Sequence, residues 1–381
     1  MKQTILFSLL ILILASYTTQ AIPAFARKYN MTCKTCHAPF PKLKPYGEEF
    51  AGNGFVLKDQ DAPRYFVETG DDKLSLIRDL PIAVRVDGYA TFNSEKSKLS
   101  DFKTPFIFKV LSGGSIFKDV SYYVYYILED GEAGKLEDAF VMFGDLFGSG
   151  INFSIGQFQV SDPLFKRELR LTLADYDIYK VKVGDSHTNL TYDRGIMLNY
   201  GFETGTDLTI EVVNGNGIGA IENGNFDSDK HKNFMGRISQ DVGEHLRIGG
   251  FGYLGKEEKD GNANDLWMAG PDATISFDPI ELNVQFVERR DKNPFFLPSK
   301  LEIKTRGAFA ELIFMPDGDN SNWYAVGLYN WVESNIGVLD KKTGSLHLGY
   351  VLARNIRLVG EYTHNFTDKY GKVSLGFNSA F

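Results

Sequence analysis

From Pro81 to Phe381, apolar and polar residues alternate with a period of two, in runs of about ten residues. No other feature restricts the fold as much. A strand of roughly 9 to 11 residues, tilted, crosses the hydrocarbon of a membrane, and its side chains then face lipid and lumen in turn. Reading each run as one strand gives 81–93, 103–111, 119–128, 135–143, 150–160, 190–201, 206–213, 232–240, 244–254, 266–277, 280–290, 302–315, 321–333, 344–352, 356–365 and 372–381. The count is about 16, an even number, so both ends of the barrel segment fall on one side. The expected fold is all-β: a transmembrane antiparallel β-barrel over 81–381, with a small α/coil segment ahead of it.

The last run is the clearest. Val373, Leu375, Phe377 and Phe381 share one face, and a closing amphipathic strand with a terminal Phe resembles the signature of bacterial outer-membrane proteins. A soluble β-sandwich is the competing fold and gives no reason for that terminal aromatic. The spacing between runs is a further check. Every second gap is short: Ser112–Lys118, Gly144–Ser149, Phe202–Gly205, Asp241–Gly243, Asp278–Pro279, Pro316–Asn320 and Ala353–Asn355. The intervening gaps are longer, among them 161–189, 214–231, 255–265, 291–301 and 334–343. That is the asymmetry of periplasmic turns and outer loops. Segment 161–189 is the longest and carries Asp162, Lys166, Arg167, Glu168, Arg170, Asp175 and Lys180. It either folds inward to narrow the lumen or stands as a surface hairpin. If 172–183 were transmembrane, the count would be eighteen.

Composition narrows the rest. Aromatic residues make up 14%, with Phe 30 and Tyr 19, and the net charge is −8. The acidic balance argues against a nucleic-acid partner. Residues 1–21 read as a secretory signal peptide, with Lys2, the apolar run Ile5–Ala15 and small residues at Thr19 and Ala21. A membrane anchor is the alternative, but the run is short for a span of about 20 residues.

Both cysteines of the chain lie in Cys33-Lys34-Thr35-Cys36-His37. This is C-x-x-C-H. Two thiols on one helical turn can each bond a vinyl group of one haem, and the next residue offers an imidazole to the iron. Cys33 and Cys36 are therefore the expected covalent links to haem c, and His37 the proximal iron ligand. A dithiol redox pair and half a zinc site are the alternatives. Met31 is the nearest sulfur and a candidate sixth ligand, or else a core side chain. His187, His231, His245, His347 and His364 read as loop or lumen residues. The segment 22–80 is too short to bury a haem alone, so it is expected at the periplasmic mouth or inside the barrel.

Ile22-Pro23-Ala24-Phe25-Ala26-Arg27, Met31-Thr32-Cys33-Lys34-Thr35-Cys36-His37, Pro41-Lys42-Leu43, Tyr46-Gly47-Glu48-Glu49-Phe50 and Asn53-Gly54-Phe55 together resemble the opening of the fused monohaem cytochrome–porin family. Members include outer-membrane iron oxidases. The resemblance implies electron transfer between an extracellular donor, typically ferrous iron, and a periplasmic cytochrome or other carrier, in an outer-membrane lipid setting. A diffusion or uptake porin with a structural or sensory haem is the alternative, and a soluble dithiol oxidoreductase a third.

Overall fold

The structure, a computed structural model, describes residues 24–29, 31–57, 66–67, 69–78, 80–94, 100–219, 224–227 and 229–381. The expected signal peptide, 1–21, lies outside the described residues, as do Ile22 and Pro23.

The alternating runs become sixteen antiparallel strands joined edge to edge into a closed barrel. They are β1 Ile82–Asn93, β2 Ser100–Phe117, β3 Val120–Glu129, β4 Lys135–Phe143, β5 Asn152–Gln159, β6 Tyr192–Gly201, β7 Thr206–Val213 and β8 Asn233–Val242. The second half comprises β9 Leu246–Lys259, β10 Asn262–Phe277, β11 Ile280–Asp291, β12 Ile303–Phe314, β13 Trp323–Ser334, β14 Lys341–Ala353, β15 Ile356–Asn365 and β16 Tyr370–Ala380. Each strand pairs with its sequence neighbour. Closure comes from β16 on β1, in a register that runs from Lys372 opposite Asn93 to Ala380 opposite Arg85. Closure leaves no unpaired sheet edge, which a strand exposed to lipid cannot tolerate.

The period-two pattern sorts side chains as expected. On β13, Tyr324, Val326, Leu328, Asn330 and Val332 are buried in the lumen. On β14 the outward Leu346, Leu348, Tyr350 and Leu352 are each more than half exposed. At the short-turn end, outward aromatic pairs form a girdle: Phe143 with Phe153, Tyr200 with Phe202, and Phe314 with Trp323. An apolar outer band with aromatic rims is a surface for lipid. No helix among the described residues is long and apolar enough to cross a membrane.

Two connections differ from the sequence reading. The expected long loop 255–265 is instead ladder: Gly255 pairs with Leu266 and Lys259 with Asn262. Only Asp260 and Gly261 turn the chain, with φ of 50° and 76°, the left-handed geometry that an Asp-Gly hairpin favours. The segment 172–183 contains no strand but a 3₁₀ turn, Asp177–Lys180. The count is therefore sixteen and not eighteen.

The segment between β5 and β6 folds inward. Its Leu164, Tyr176, Ile178 and Tyr179 join wall residues Met197, Met235, Phe251, Met268, Phe309 and Leu328 in one buried apolar cluster. Tyr176 stacks on Phe309 with ring centres 4.0 Å apart. Polar ties span the lumen: Tyr176 donates to Glu311 at 3.1 Å, Tyr179 to Gln285 at 3.0 Å, and the Asp177 amide to Asn330 at 3.1 Å. Charges on the segment are mostly paired internally, with Asp175 facing Arg167, Arg170 and Lys180. The sequence left open an inward constriction with solvated charges or a surface hairpin, and the segment takes the inward course. Apolar lumen positions made it a packed plug instead, because an aqueous gap beside Phe251 or Met268 would leave apolar surface wet.

Candidate functional site

The N-terminal segment closes the opposite end of the barrel. It forms three short helices, α1 Ala24–Tyr29, α2 Cys33–Cys36 and α3 Pro45–Gly52. In α2 one turn is closed by the His37 amide donating to the Cys33 carbonyl at 2.9 Å. The chain then loops through Ala38–Lys42 and returns, with the Ala38 amide on the Lys42 carbonyl at 3.1 Å and the Lys44 amide on the Cys36 carbonyl at 2.8 Å. Pro45 opens α3, where its missing N–H costs nothing. At Gly47 a Cβ would lie 2.4 Å from the Cys36 carbonyl oxygen, so α3 can pack on the motif only through glycine.

Contacts with the turn end hold this unit in the mouth. Lys42 pairs with Glu281 of β11 at 2.9 Å, and Lys44 with Asp319 at 2.7 Å. Lys34 donates to Asn320 at 3.1 Å, and Asn152 of β5 donates to the Gly52 carbonyl at 2.9 Å. Phe55 stacks on Tyr123 of β3 at 5.0 Å. A Cβ on Gly54 would sit 2.1 Å from the Ser121 hydroxyl, so backbone meets wall there directly. These contacts reach β3, β5, β11 and the β12–β13 turn, on well-separated parts of the rim.

Cys33 and His37 line one narrow cleft with Phe40, Val351, Arg354 and Arg357. The Nδ1 of His37 lies 3.0 Å from the Pro41 carbonyl and 3.3 Å from that of Lys42. A carbonyl only accepts, so Nδ1 carries the hydrogen and Nε2 keeps its lone pair. Burial, reinforced by the charge of Arg357, lowers the ring's pKa to about 4 against these carbonyls, so the imidazole is neutral at pH 7. A neutral ring fixed through its second nitrogen is the form that binds a metal. Burial raises both thiols above their ordinary value, Cys36 also through Cys33. That disfavours the thiolate which a dithiol oxidoreductase needs. Among the described residues, no three His, Cys, Asp or Glu side chains are placed to hold a metal ion, so the zinc alternative lacks its ligand set.

The donor set suits a haem: among the described residues no hydrogen bond reaches Nε2 of His37, both cysteines share the turn, and Lys34, Arg354 and Arg357 line the cleft. Buried Nε of Arg357 has no hydrogen-bond partner among the described residues, an unmet donor suited to an acidic substituent. Met31 lies between α1 and α2, its amide on the Ala26 carbonyl at 3.1 Å, and it is not among the residues lining the cleft.

Sequence reasoning missed Arg354 and Arg357, and with them a buried row behind Arg357. Arg357 donates to the Tyr324 hydroxyl at 2.5 Å, that hydroxyl lies 3.4 Å from Nε2 of His347, and Nδ1 of His347 lies 3.0 Å from Glu361. Glu361 then accepts the amides of Leu173 at 2.6 Å and Ala174 at 2.9 Å, in the inward segment. The only sequence signal was charge at inward-facing strand positions.

The barrel resembles solved porins. An anion-selective porin from Comamonas acidovorans superposes with a TM-score of 0.59 at 14% identity, over 80% of this chain and 99% of that one. Salmonella typhi OmpF, in complex with daunomycin, gives 0.58 at 10% identity, over 83% and 100%. The outer membrane channel DcaP of Acinetobacter baumannii gives 0.57 at 13%, over 80% and 97%. The fold is that of the outer-membrane porins. The sequence matches no described protein family and no curated protein.

Proposed function

We propose that this chain is a bacterial outer-membrane monohaem cytochrome c–porin. It passes electrons between an extracellular donor, with ferrous iron the first candidate, and a periplasmic carrier. The observation that carries this reading is the cleft: a C-x-x-C-H turn at the barrel mouth with His37 fixed through Nδ1 and its Nε2 available. With an even strand number, the mouth that holds this turn is the periplasmic one.

Haem c, when bound, supplies a one-electron ferric/ferrous couple. The chain's residues do the rest. Cys33 and Cys36 tether, His37 ligates, and the Pro41 carbonyl holds the imidazole in the ligating tautomer. Phe40, with the guanidinium groups of Arg85 and Arg357 each 6.0 Å from its ring centre, walls the cleft and keeps it positive. A positive surrounding favours the reduced, less charged state and so raises the potential. The segment between β5 and β6 packs a buried apolar cluster across the lumen.

The test is a haem-stained outer-membrane band whose spectrum reduces when ferrous iron is offered to intact cells. Covalent haem that no extracellular one-electron donor reduces would count against electron transfer. A second reading is favoured by the fold, which is shared with proteins described as an anion-selective porin and a channel. There the chain is a diffusion or uptake porin with a structural or sensory haem. Planar-bilayer recording separates the two, since a steady open pore supports the second and a blocked barrel the first.

A further inference from the structure

We propose that Arg290, Lys304 and Arg306, on the outside of the barrel, dock the phosphate-bearing headgroup of an outer-leaflet lipid. The inference rests on the barrel alone and is independent of the haem reading.

The three cations stand on the membrane side of the wall. Their neighbours Arg289, Asp291 and Thr305 are buried towards the lumen, so Glu288, Arg290, Lys304 and Arg306, which alternate with them, point the other way. The same outward row of β11 begins with Ile280, Leu282, Val284 and Phe286 and only then turns to Glu288 and Arg290. From Ile280 to Glu288 a tilted strand rises about 20 Å. The lipid-facing band of such a barrel is about 25 Å tall. The wall therefore changes from apolar to charged where hydrocarbon gives way to headgroups, at the end away from the short turns.

The cluster is gathered on one carboxylate. Glu288 holds Arg306 at 2.9 Å, Arg290 at 3.1 Å and Lys304 at 3.3 Å. Two more acids are near. Glu302 reaches only Arg290, at 3.9 Å, and is 60% exposed. Glu333 lies opposite Arg306 in the register of β12 and β13, but among the described residues it forms no ion pair with Arg306. Glu288 occupies Nε of both arginines. Among the described residues no hydrogen bond reaches their terminal nitrogens. A guanidinium held through Nε presents its remaining N–H groups to two oxygens of one phosphate. Trp267, paired with Arg290 across β10 and β11, sets its ring 5.6 Å from that guanidinium, as an aromatic at a membrane boundary does.

Two observations name the occupant. The cluster continues the lipid-facing face without a break, so the layer that covers it is the headgroup layer of the same membrane. Its free donors match a phosphate, and anionic headgroups attract such basic groups. The turns at the other end of β11 and β12 carry Asp278 and Asp317 instead, so the charge changes sign from one membrane surface to the other. Charge on the outer wall costs little at the boundary, and a charge-assisted bond there offsets it.

The experiment titrates the full-length protein in detergent with lipid A carrying both phosphates, and counts the adduct by native mass spectrometry. The combined variant Arg290→Gln, Lys304→Gln, Arg306→Gln should bind about tenfold more weakly or worse. Wild type should bind fully dephosphorylated lipid A with a similar loss. Arg306→Gln alone should lose about threefold, which keeps the test alive if the combined variant lacks the heat-modifiable mobility of a folded barrel. Lys118→Gln, which removes an exposed cation at the opposite end, should bind as the wild type does. Unchanged affinity in the folded cluster variants, equal loss in Lys118→Gln, or indifference to the lipid's phosphates overturns the proposal. Displacement of the lipid by inorganic phosphate at equal concentration marks a free-anion site and overturns it too.

Discussion

Two segments enter this barrel from opposite ends, and they are held in different ways. The inward segment between β5 and β6 contributes buried apolar side chains to the main lumen cluster, with Tyr179 fully buried. The N-terminal segment is held at the mouth largely by lysine ion pairs and backbone contacts, with aromatic stacking on β3. The first is fastened as a core is fastened, by area removed from water. The second is fastened at its rim, and its central turn faces the cleft lined by Cys33 and His37. A barrel can thus be closed at one end by packing and left addressable at the other.

Breaking the packed end should have the largest effect. Replacing 162–186 by a short turn should convert a blocked barrel into a conducting one, read as at least a tenfold rise in single-channel conductance in planar bilayers. Removing the chemistry at the other end should leave the barrel intact. Cys33→Ser with Cys36→Ser should abolish covalent haem staining while the heat-modifiable mobility of the folded barrel persists.

A smaller effect is expected within the plug. Phe309 is 2% exposed and stacks on Tyr176, so Phe309→Ala should cost about 3–5 kcal/mol in equilibrium unfolding. Acid should loosen the same region. Burial pushes Glu168 up, but Lys109 and Lys166 overcome it and hold its carboxyl at about 2. Asp175 is likewise held below the carboxylate range, by Arg170 and Arg167 against burial. A lowered folded pKa means stability present above about pH 4.5 that is lost as pH falls toward 2. Burial raises Asp162 and works in the opposite sense. Protease cleavage of the inward segment should therefore rise across that acid window, and more steeply in Asp162→Asn. The smallest effect is at the rim. Lys44→Ala breaks a pair whose Asp319 is half exposed, and should change stability by less than about 1 kcal/mol.

Much of the fold was legible in the sequence because a strand's period of two is a local property. It marks inside and outside at each position without knowledge of neighbours, as on β13 and β14. The connections were less legible. The run Lys256–Asp260 is polar and reads as loop, yet Glu257 is buried and receives the His187 amide at 2.8 Å. Polarity marks a lumen wall and a surface loop alike. The inward course of 161–189 was one of two open readings for the same reason.

Cys33, Cys36 and His37 were legible as a candidate site because the motif places three residue types at fixed spacing on one turn, and spacing survives in sequence. By itself the sequence determined a strand pattern of barrel length and a C-x-x-C-H pentapeptide. Only the tertiary structure decided that Arg357, 320 residues beyond His37, shares its cleft, and that Tyr324, His347 and Glu361 join that cleft to the plug. Barrel closure brings such residues together through strand register, and register is set by pairing across the whole sheet rather than by any local run.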